Sequence, residues 1–305
     1  MNDSVFHEGE RLIQERTGER EIALLNGRLI ADSIPSAARS FITQQRLCVC
    51  AGISHDGDVW AHFLTGVPGF AAASEDMKFV DLQLADEHGV LNSTPLFADL
   101  RVAAPLGMLF IELATRRRLR VNGTVSALTR AAVQVAVHEA FPNCPKYIQR
   151  RQIAGVSQQP RVTAIEQGGT LNDATAQWIR NADTLFVASS HPDGRVDASH
   201  RGGSPGFVRP SGDVLLIPDY VGNSLYNTLG NFAVHPRAGL TFVDFDHGRQ
   251  LQLTGHVELR FDVQSEIDLT GGTGRWWAFR PRRWIASSWN QPLAWKYVDA
   301  SPFNP

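Results

Sequence analysis

A chain of 305 residues, 43% hydrophobic and 20% charged, holds enough apolar side chain for two globular cores of ordinary size and too much for a disordered protein. Its 29 basic and 31 acidic residues leave a formal charge of -2, which excludes a chain-wide field for nucleic acid or an anionic membrane, so any anion must be held locally. No run approaches the ~18 apolar residues of a membrane span, and the opening MNDSVFHEGE lacks the apolar core of a signal peptide, so the expected compartment is the cytoplasm.

In chain order, GERLIQERTGEREIALLNGRLI and SAARSFITQQ read as helices that precede the first strands. Apolar runs from Leu47 to Ile53 and Val59 to Leu64 flank Asp56-Gly57, the favoured two-residue hairpin turn. Cys48 and Cys50 stand two apart on that strand and share a face, and with Cys144 they form a sparse, odd set expected to be reduced thiols. Further strands are expected at Phe79 to Leu84, Met108 to Glu112, Leu119 to Leu128 and Val133 to Phe141. A polar stretch over 152–169 reads as a linker, and DATAQWIRNA as a helix after it. The order then recurs: a hairpin from Leu185 to His200, and strands at Val214 to Ile217, Leu240 to Phe245, Leu251 to Phe261 and Trp276 to Phe279.

The recurrence is visible residue by residue. Aligned without a gap, Ser54 to Phe70 and its counterpart ending at Phe207 match Asp56-Gly57 with Asp193-Gly194, Val59 with Val196, Ala61 with Ala198, Gly66 with Gly203 and Pro68-Gly69-Phe70 with Pro205-Gly206-Phe207. A second block matches Gly107 with Gly239, Phe110 with Phe242 and Gly123 with Gly255. Short consecutive strands with few helices favour a closed or nearly closed antiparallel barrel, so the expectation is a mainly β chain of two small tandem barrels with a few peripheral helices: 1–151, the linker 152–169, and 170–305.

Several motifs invite chemistry. Gly202-Gly203-Ser204-Pro205-Gly206 has a serine between glycines, but no helix follows it as a nucleophile elbow requires. Gly271-Gly272-Thr273-Gly274 lacks the lysine and helix of a phosphate-binding P-loop. The ten histidines are scattered, so no metal site is expected. Ser199-His200-Arg201, at the end of a strand, sets a guanidinium beside hydroxyl and imidazole donors and suits phosphate oxygens; a solvated rim arginine is the alternative. GNSLYNTLGN offers Asn223, Ser224, Asn227 and Asn231 around the start of a short helix, where an anion could bind, although plain N-capping by Asn223 or Ser224 fits the spacing equally. Asn143-Cys144-Pro145-Lys146-Tyr147 closes the first copy with no equivalent in the second, and Thr115 to Arg120 (TRRRLR) reads as a solvated hairpin tip.

Taken together, SHRGGSPGFV, LLIPDYVGNSLYNTLGN, HPRAGLTFVDF and LTGHVEL resemble the pyridoxamine 5′-phosphate oxidase-like FMN-binding split barrels, and TGVPGF, TRRRLRVNG and NCPKYIQRR resemble the tandem, two-barrel branch of that family. The resemblance implies a six-stranded Greek-key split barrel in each half, FMN where two barrels meet, a pseudo-dimer within the chain, and a possible homodimer. It places Ser199, His200, Arg201, Asn223, Ser224, Asn227 and Asn231 at the FMN phosphate, and brings Lys146 and Tyr147 to the flavin ring or the substrate. The basic residues of the oxidase proper are not reproduced in order, which points away from pyridoxamine phosphate as the substrate. The implied function is an FMN-dependent oxidoreductase acting on a small molecule, with NAD(P)H or a reductase as electron donor. The rivals are a non-catalytic flavin-binding module and a haem-binding or haem-degrading barrel with His200 or His256 as ligand.

Overall fold

The computed structural model describes residues 5–84, 91–157, 165–263, 266–291 and 293–305. Helices α1 (Glu8–Arg16) and α2 (Arg20–Gly27) open the chain, followed by α3 (Arg39–Gln44). The expected single first helix is two, because the chain turns left-handed at Gly18. α1 starts at a capping box in which the His7 side chain and Glu10 satisfy each other's backbone N–H region.

Strands β1 (Leu47–Ile53), β2 (Val59–Thr65), β3 (Ala71–Ala73) and β4 (Phe79–Gln83) come next, then the short helix α4 (Pro95–Ala98), then β5 (Pro105–Glu112), β6 (Arg117–Leu128) and β7 (Ala132–Pro142). They form one antiparallel sheet in the order β2-β1-β5-β6-β7-β4-β3. Between the halves, β8 (Arg150–Val156) and β9 (Glu166–Gly168) precede α5 (Asp173–Asn181). Of the expected linker, residues 158–164 lie outside the described residues. The second half holds β10 (Thr184–Ser190), β11 (Val196–Gly202), β12 (Arg209–Ser211), β13 (Val214–Pro218), α6 (Asn227–Val234), β14 (Arg237–Asp244), β15 (Arg249–Arg260) and β16 (Trp276–Ser288). Its sheet runs β11-β10-β14-β15-β16-β13-β12, the same path as the first. The last strand, β17 (Leu293–Asp299), pairs with β8. Against the six strands expected of each barrel, the first sheet has seven and the second eight: a three-residue strand extends each at one edge, and β9 also pairs with β16 in the second.

The internal alignment is borne out by bonds as well as by order. In the first hairpin Ser54 N–H donates to the Asp58 carbonyl and Gly57 N–H to Ser54; in the second, His191 N–H donates to Arg195 and Gly194 N–H to His191, all at 2.9 Å. The turn before each repeated phenylalanine also matches, with Phe70 N–H on the Val67 carbonyl and Phe207 N–H on that of Ser204. Ser204 is therefore an exposed turn residue.

Three of the apolar clusters among the described residues organise the barrels, and a fourth packs Phe6 and Ala23 of the N-terminal segment against Phe141 and Leu225. One fills the first barrel around Cys48, Trp60, Leu106 and Val121; a second fills the other around Val187, Leu240, Leu253 and Trp277. A third lies between the barrels and joins Val49, Phe63 and Leu109 to Phe186, Ala198 and Trp289. β1 and β10 are buried on both faces, which is why they read as continuous apolar runs instead of alternating ones. Cys48 and Cys50 both face the first core as free thiols.

The repeated glycines now have reasons. A Cβ at Gly107 would lie 3.0 Å from the Val196 carbonyl oxygen, and one at Gly239 would lie 2.6 Å from that of Val59, so each barrel's hairpin crosses a bare patch of the other's strand. Gly123 and Gly255 sit at matching bulges in β6 and β15, where a Cβ would strike the carbonyl of Ala136 or Arg280. The two barrels therefore dock with approximate twofold symmetry inside one chain.

Candidate functional site

The symmetry breaks at the end of β11. Ser199, His200 and Arg201 emerge there and meet Arg118 and Arg120 of β6 from the other barrel around a cavity of about 90 Å³. Side chains two apart on a strand share a face, so Arg118 and Arg120 point together across the barrel interface. This corrects the reading of TRRRLR as a solvated tip: Arg117 is exposed, but Arg120 is only 5% exposed. Its guanidinium grips the opposing barrel at the Ala198 carbonyl (3.0 Å), Ser199 Oγ (2.6 Å), Asn227 Oδ1 (2.8 Å) and Asp197 (2.9 Å). Arg118 donates to the Cys144 carbonyl at 2.7 Å and has no carboxylate partner among the described residues.

Asp219 forms the opposite wall, accepting from Arg201 at 2.8 Å and from Arg275 at 3.0 Å. The Arg201 Nε and both ring nitrogens of His200 are buried without a hydrogen-bond partner. Burial first, then the cations Arg118, Arg201 and Arg151, hold the His200 ring well below its usual pKa, so it sits there as a neutral imidazole. Burial, with Arg120 and Arg201 close by, also lowers the Arg118 pKa.

The loop from Asp219 to α6 completes the cavity. Ser224 and Tyr226 adopt positive φ angles, as does Tyr147 on the facing segment. Such strain in residues other than glycine persists only where surrounding contacts enforce it. Here they do: Asn26 donates to the Asn223 carbonyl, Gln14 to that of Leu225, and Ser224 Oγ to Glu19. Tyr147 packs on Tyr220 with ring centroids 4.9 Å apart and donates its hydroxyl to the Val221 carbonyl. α6 begins after Tyr226 with no side-chain cap, while Asn223 accepts from Leu225 N–H, so the N-capping alternative for Asn223 and Ser224 does not hold. The open helix end is directed at the cavity through Asn227, Thr228 and Leu229.

Of the residues singled out in the sequence, Ser199, His200, Arg201, Asn223, Ser224, Asn227 and Tyr147 line this one cavity. Lys146 does not; its ammonium lies 5.7 Å from the centre of the Phe303 ring. Asn231 turns away to donate to Ser189 Oγ at 2.9 Å, and His256 is exposed on β15. Arg118, Arg120, Asp219 and Tyr220 were missed, although the period-two spacing of the two arginines was a usable signal.

The matching position between the barrels lacks these charges. Under the internal alignment His62 replaces Ser199, Leu64 replaces Arg201, and Gln250 and Gln252 replace Arg118 and Arg120. Gln252 donates to the Ala61 carbonyl at 2.7 Å, the mirror of Arg120 on Ala198, and Gln250 accepts from Phe63 N–H at 2.9 Å. Burial takes the His62 pKa down to about 3. The charged cavity therefore belongs to one of two related positions.

Behind Asn227 lies a smaller cavity lined by Glu10, Glu139, Asp197, His7 and His191. Burial is the main cause that pushes Glu10 up to about 8 and Glu139 in the same direction, while burial, then His191 and Arg195, bring His7 down to about 4. The folded chain keeps a Glu10 proton that the unfolded chain releases near 4.5, so this contribution to stability is full below 4.5 and is lost as the pH rises to about 8. His7 has the opposite sign, its contribution growing from about 4 and complete above 6.5. Stability is thus expected to fall between pH 6.5 and 8, and Glu10→Gln to shrink that fall. Urea denaturation at both pH values checks this; an equal fall in both proteins refutes it.

Comparison with known proteins finds a family match within the second half of the chain. Residues 171–274 match the family model described as pyridoxamine 5′-phosphate oxidase. No curated protein matches the chain. Similar solved structures include Group A Streptococcus HupZ, at 12% identity and TM-score 0.28, covering 43% of this chain and 98% of that one. A FAD-binding protein from Mesorhizobium loti gives 11% and 0.29, covering 41% and 98%. A putative pyridoxamine 5′-phosphate oxidase from Lactobacillus delbrueckii gives 11% and 0.27, covering 36% and 95%.

Proposed function

We infer that this chain, which belongs to the pyridoxamine 5′-phosphate oxidase-like family through its second barrel, is an FMN-dependent oxidoreductase with one flavin site between its barrels. The observation that carries the reading is the convergence of Arg118, Arg120 and Arg201 with the open end of α6 on a space of about 90 Å³. That space suits a phosphate group: guanidinium forks and helix N–H groups match its oxygens, and the unpartnered Arg201 Nε–H and the single N–H of the neutral His200 ring are donors left to be satisfied.

Arg201 and Arg118 would hold the phosphate, Ser199 and Asn227 would fix Arg120 behind it, and the Tyr147–Tyr220 pair offers an apolar surface to a planar ring. When bound, the flavin supplies the redox chemistry. The protein's part is to orient it and to shield it from water. The flavin reading takes precedence over haem because His200, the candidate axial ligand, is enclosed among cations that suit an anion.

Purified protein is expected to show a flavin spectrum that bleaches with NAD(P)H or a reductase. A Soret band, or a colourless protein that binds no FMN, refutes the proposal. Arg201→Ala is expected to weaken FMN binding by roughly 10- to 100-fold, the loss of a charge-assisted hydrogen bond worth about 1.5–3 kcal/mol. Lys146→Ala, whose side chain lies over Phe303, is expected to retain full flavin. The flavin-to-protein absorbance ratio after gel filtration reads both; a fully flavinated Arg201→Ala protein overturns the phosphate assignment.

A further inference from the structure

A second and larger cavity opens beside the first, about 510 Å³ in volume, within the range of small-molecule sites. Its floor is apolar, made by Ala38 and Phe41 of the α3 region, Leu119 of β6, Pro142 at the end of β7 and Pro145 after it. Phe41 and Leu119 are almost wholly buried, so this floor is fixed by the first barrel's core. Its rim is cationic. Arg116 is paired with Asp299, but Arg117 and Arg118 have no carboxylate partner among the described residues. The Arg117 guanidinium lies 4.8 Å from the centre of the Phe41 ring, and Arg118 lines both this groove and the charged cavity. Asn143 is likewise shared by both.

We propose that this groove binds a planar organic anion, an apolar aromatic ring bearing a carboxylate or sulfonate, with the ring on the apolar floor and the acidic group at the Arg117 guanidinium on the rim. Apolar floor and unpaired cation are both needed for that choice. A neutral apolar molecule leaves the Arg117 guanidinium without a counter-charge, and a small inorganic anion leaves the floor uncovered. The position of Arg118 makes the groove a neighbouring chamber of the proposed flavin site. Calling its occupant the substrate rests on that reading; the ligand chemistry does not.

The test uses the purified full chain and two fluorescent probes, 1-anilinonaphthalene-8-sulfonate and its neutral analogue N-phenyl-1-naphthylamine. The sulfonate is expected to bind more tightly than the neutral ring. Arg117→Gln is expected to weaken it about fivefold, the upper range for an exposed charge pair, and to leave the neutral probe unchanged. Ala38→Trp, which fills the groove from its half-exposed wall, is expected to abolish binding of both, while Leu25→Ser on the exposed face of α2 changes neither. Equal binding of the two probes by the wild type, or sulfonate binding that survives Ala38→Trp, overturns the proposal. So does displacement of the sulfonate when FMN is added to flavin-free protein, since the groove would then belong to the flavin. Flavin content, read separately by absorbance, tells the two failures apart: charge-selective probe binding in a protein that takes no FMN removes the flavin reading alone, and a flavinated protein without it removes the groove alone.

Discussion

Arg120→Ala is expected to be the most damaging single change near the site, destabilising the chain by about 3–5 kcal/mol and abolishing FMN retention together. The magnitude is that of removing one partner from a buried ion pair, which strands the other charge. Asp197, only 4% exposed, would keep Ser199 and Asn122 as its hydrogen-bonding neighbours but lose its cation. Against a total stability of about 5–15 kcal/mol for a typical domain, such a loss is a large fraction. Arg120→Lys should rescue little, because one ammonium cannot serve a carbonyl, a hydroxyl, an amide and a carboxylate that a planar fork reaches together. The first copy's own solution suggests the better control. There Gln252 takes the place of Arg120, and Trp60 that of Asp197, with no buried charge on either side. Arg120→Gln combined with Asp197→Asn should therefore recover much of the lost stability while leaving FMN binding absent, a non-additive result expected of residues in contact. Urea unfolding and flavin titration of the set separate the structural from the binding role. A single Arg120→Ala protein within about 1 kcal/mol of wild type contradicts the argument.

That contrast also shows how far the sequence could be read. Strands and turns were legible because they depend on local periodicity: Asp56-Gly57 and Asp193-Gly194 form matching hairpin turns, and Val133 to Phe141 alternates as β7 does. The strand expected over Trp276 to Phe279 is longer than its apolar run. In fact β16 runs on to Ser288, since Pro281 pairs with Gly255 at the bulge of β15, where a missing N–H is tolerated. Site residues were legible on the second copy, where one stretch of chain presents Ser199, His200 and Arg201 together. Those on the first copy were not, because period-two spacing gives Arg118 and Arg120 a common face without saying whether that face meets water or the other barrel. Only the docking of the barrels decides it. Lys146, which the resemblance places at the ring or substrate together with Tyr147, points to Phe303 instead, because neighbours in sequence diverge where Tyr147 turns left-handed.

The N-terminal helices were the least legible part of the site, and they support the second large effect. α1 crosses α6 where Gly9 meets Gly230: a Cβ on Gly9 would sit 2.1 Å from the Gly230 carbonyl oxygen, and one on Gly230 would sit 2.6 Å from the backbone nitrogen of Glu10. No side-chain rotation relieves a clash with backbone, so Gly230→Val must separate the helices. The expected cost is about 1–3 kcal/mol, the usual range for overpacking, or a fall in Tm of roughly 3–10 °C for a chain with domains of this size. The separation also breaks the Glu10–Asn227 and Ser224–Glu19 hydrogen bonds, which hold the two ends of the strained loop against α1 and α2. FMN affinity should consequently fall more in Gly230→Val than in a variant destabilised equally in the first barrel's core, such as Leu106→Ala. Gly169→Ala, whose Cβ would meet only the Arg282 carbonyl oxygen at 3.7 Å, should leave both Tm and affinity unchanged. Equal FMN affinities in Gly230→Val and Leu106→Ala would mean that the helices stabilise the chain without shaping its site.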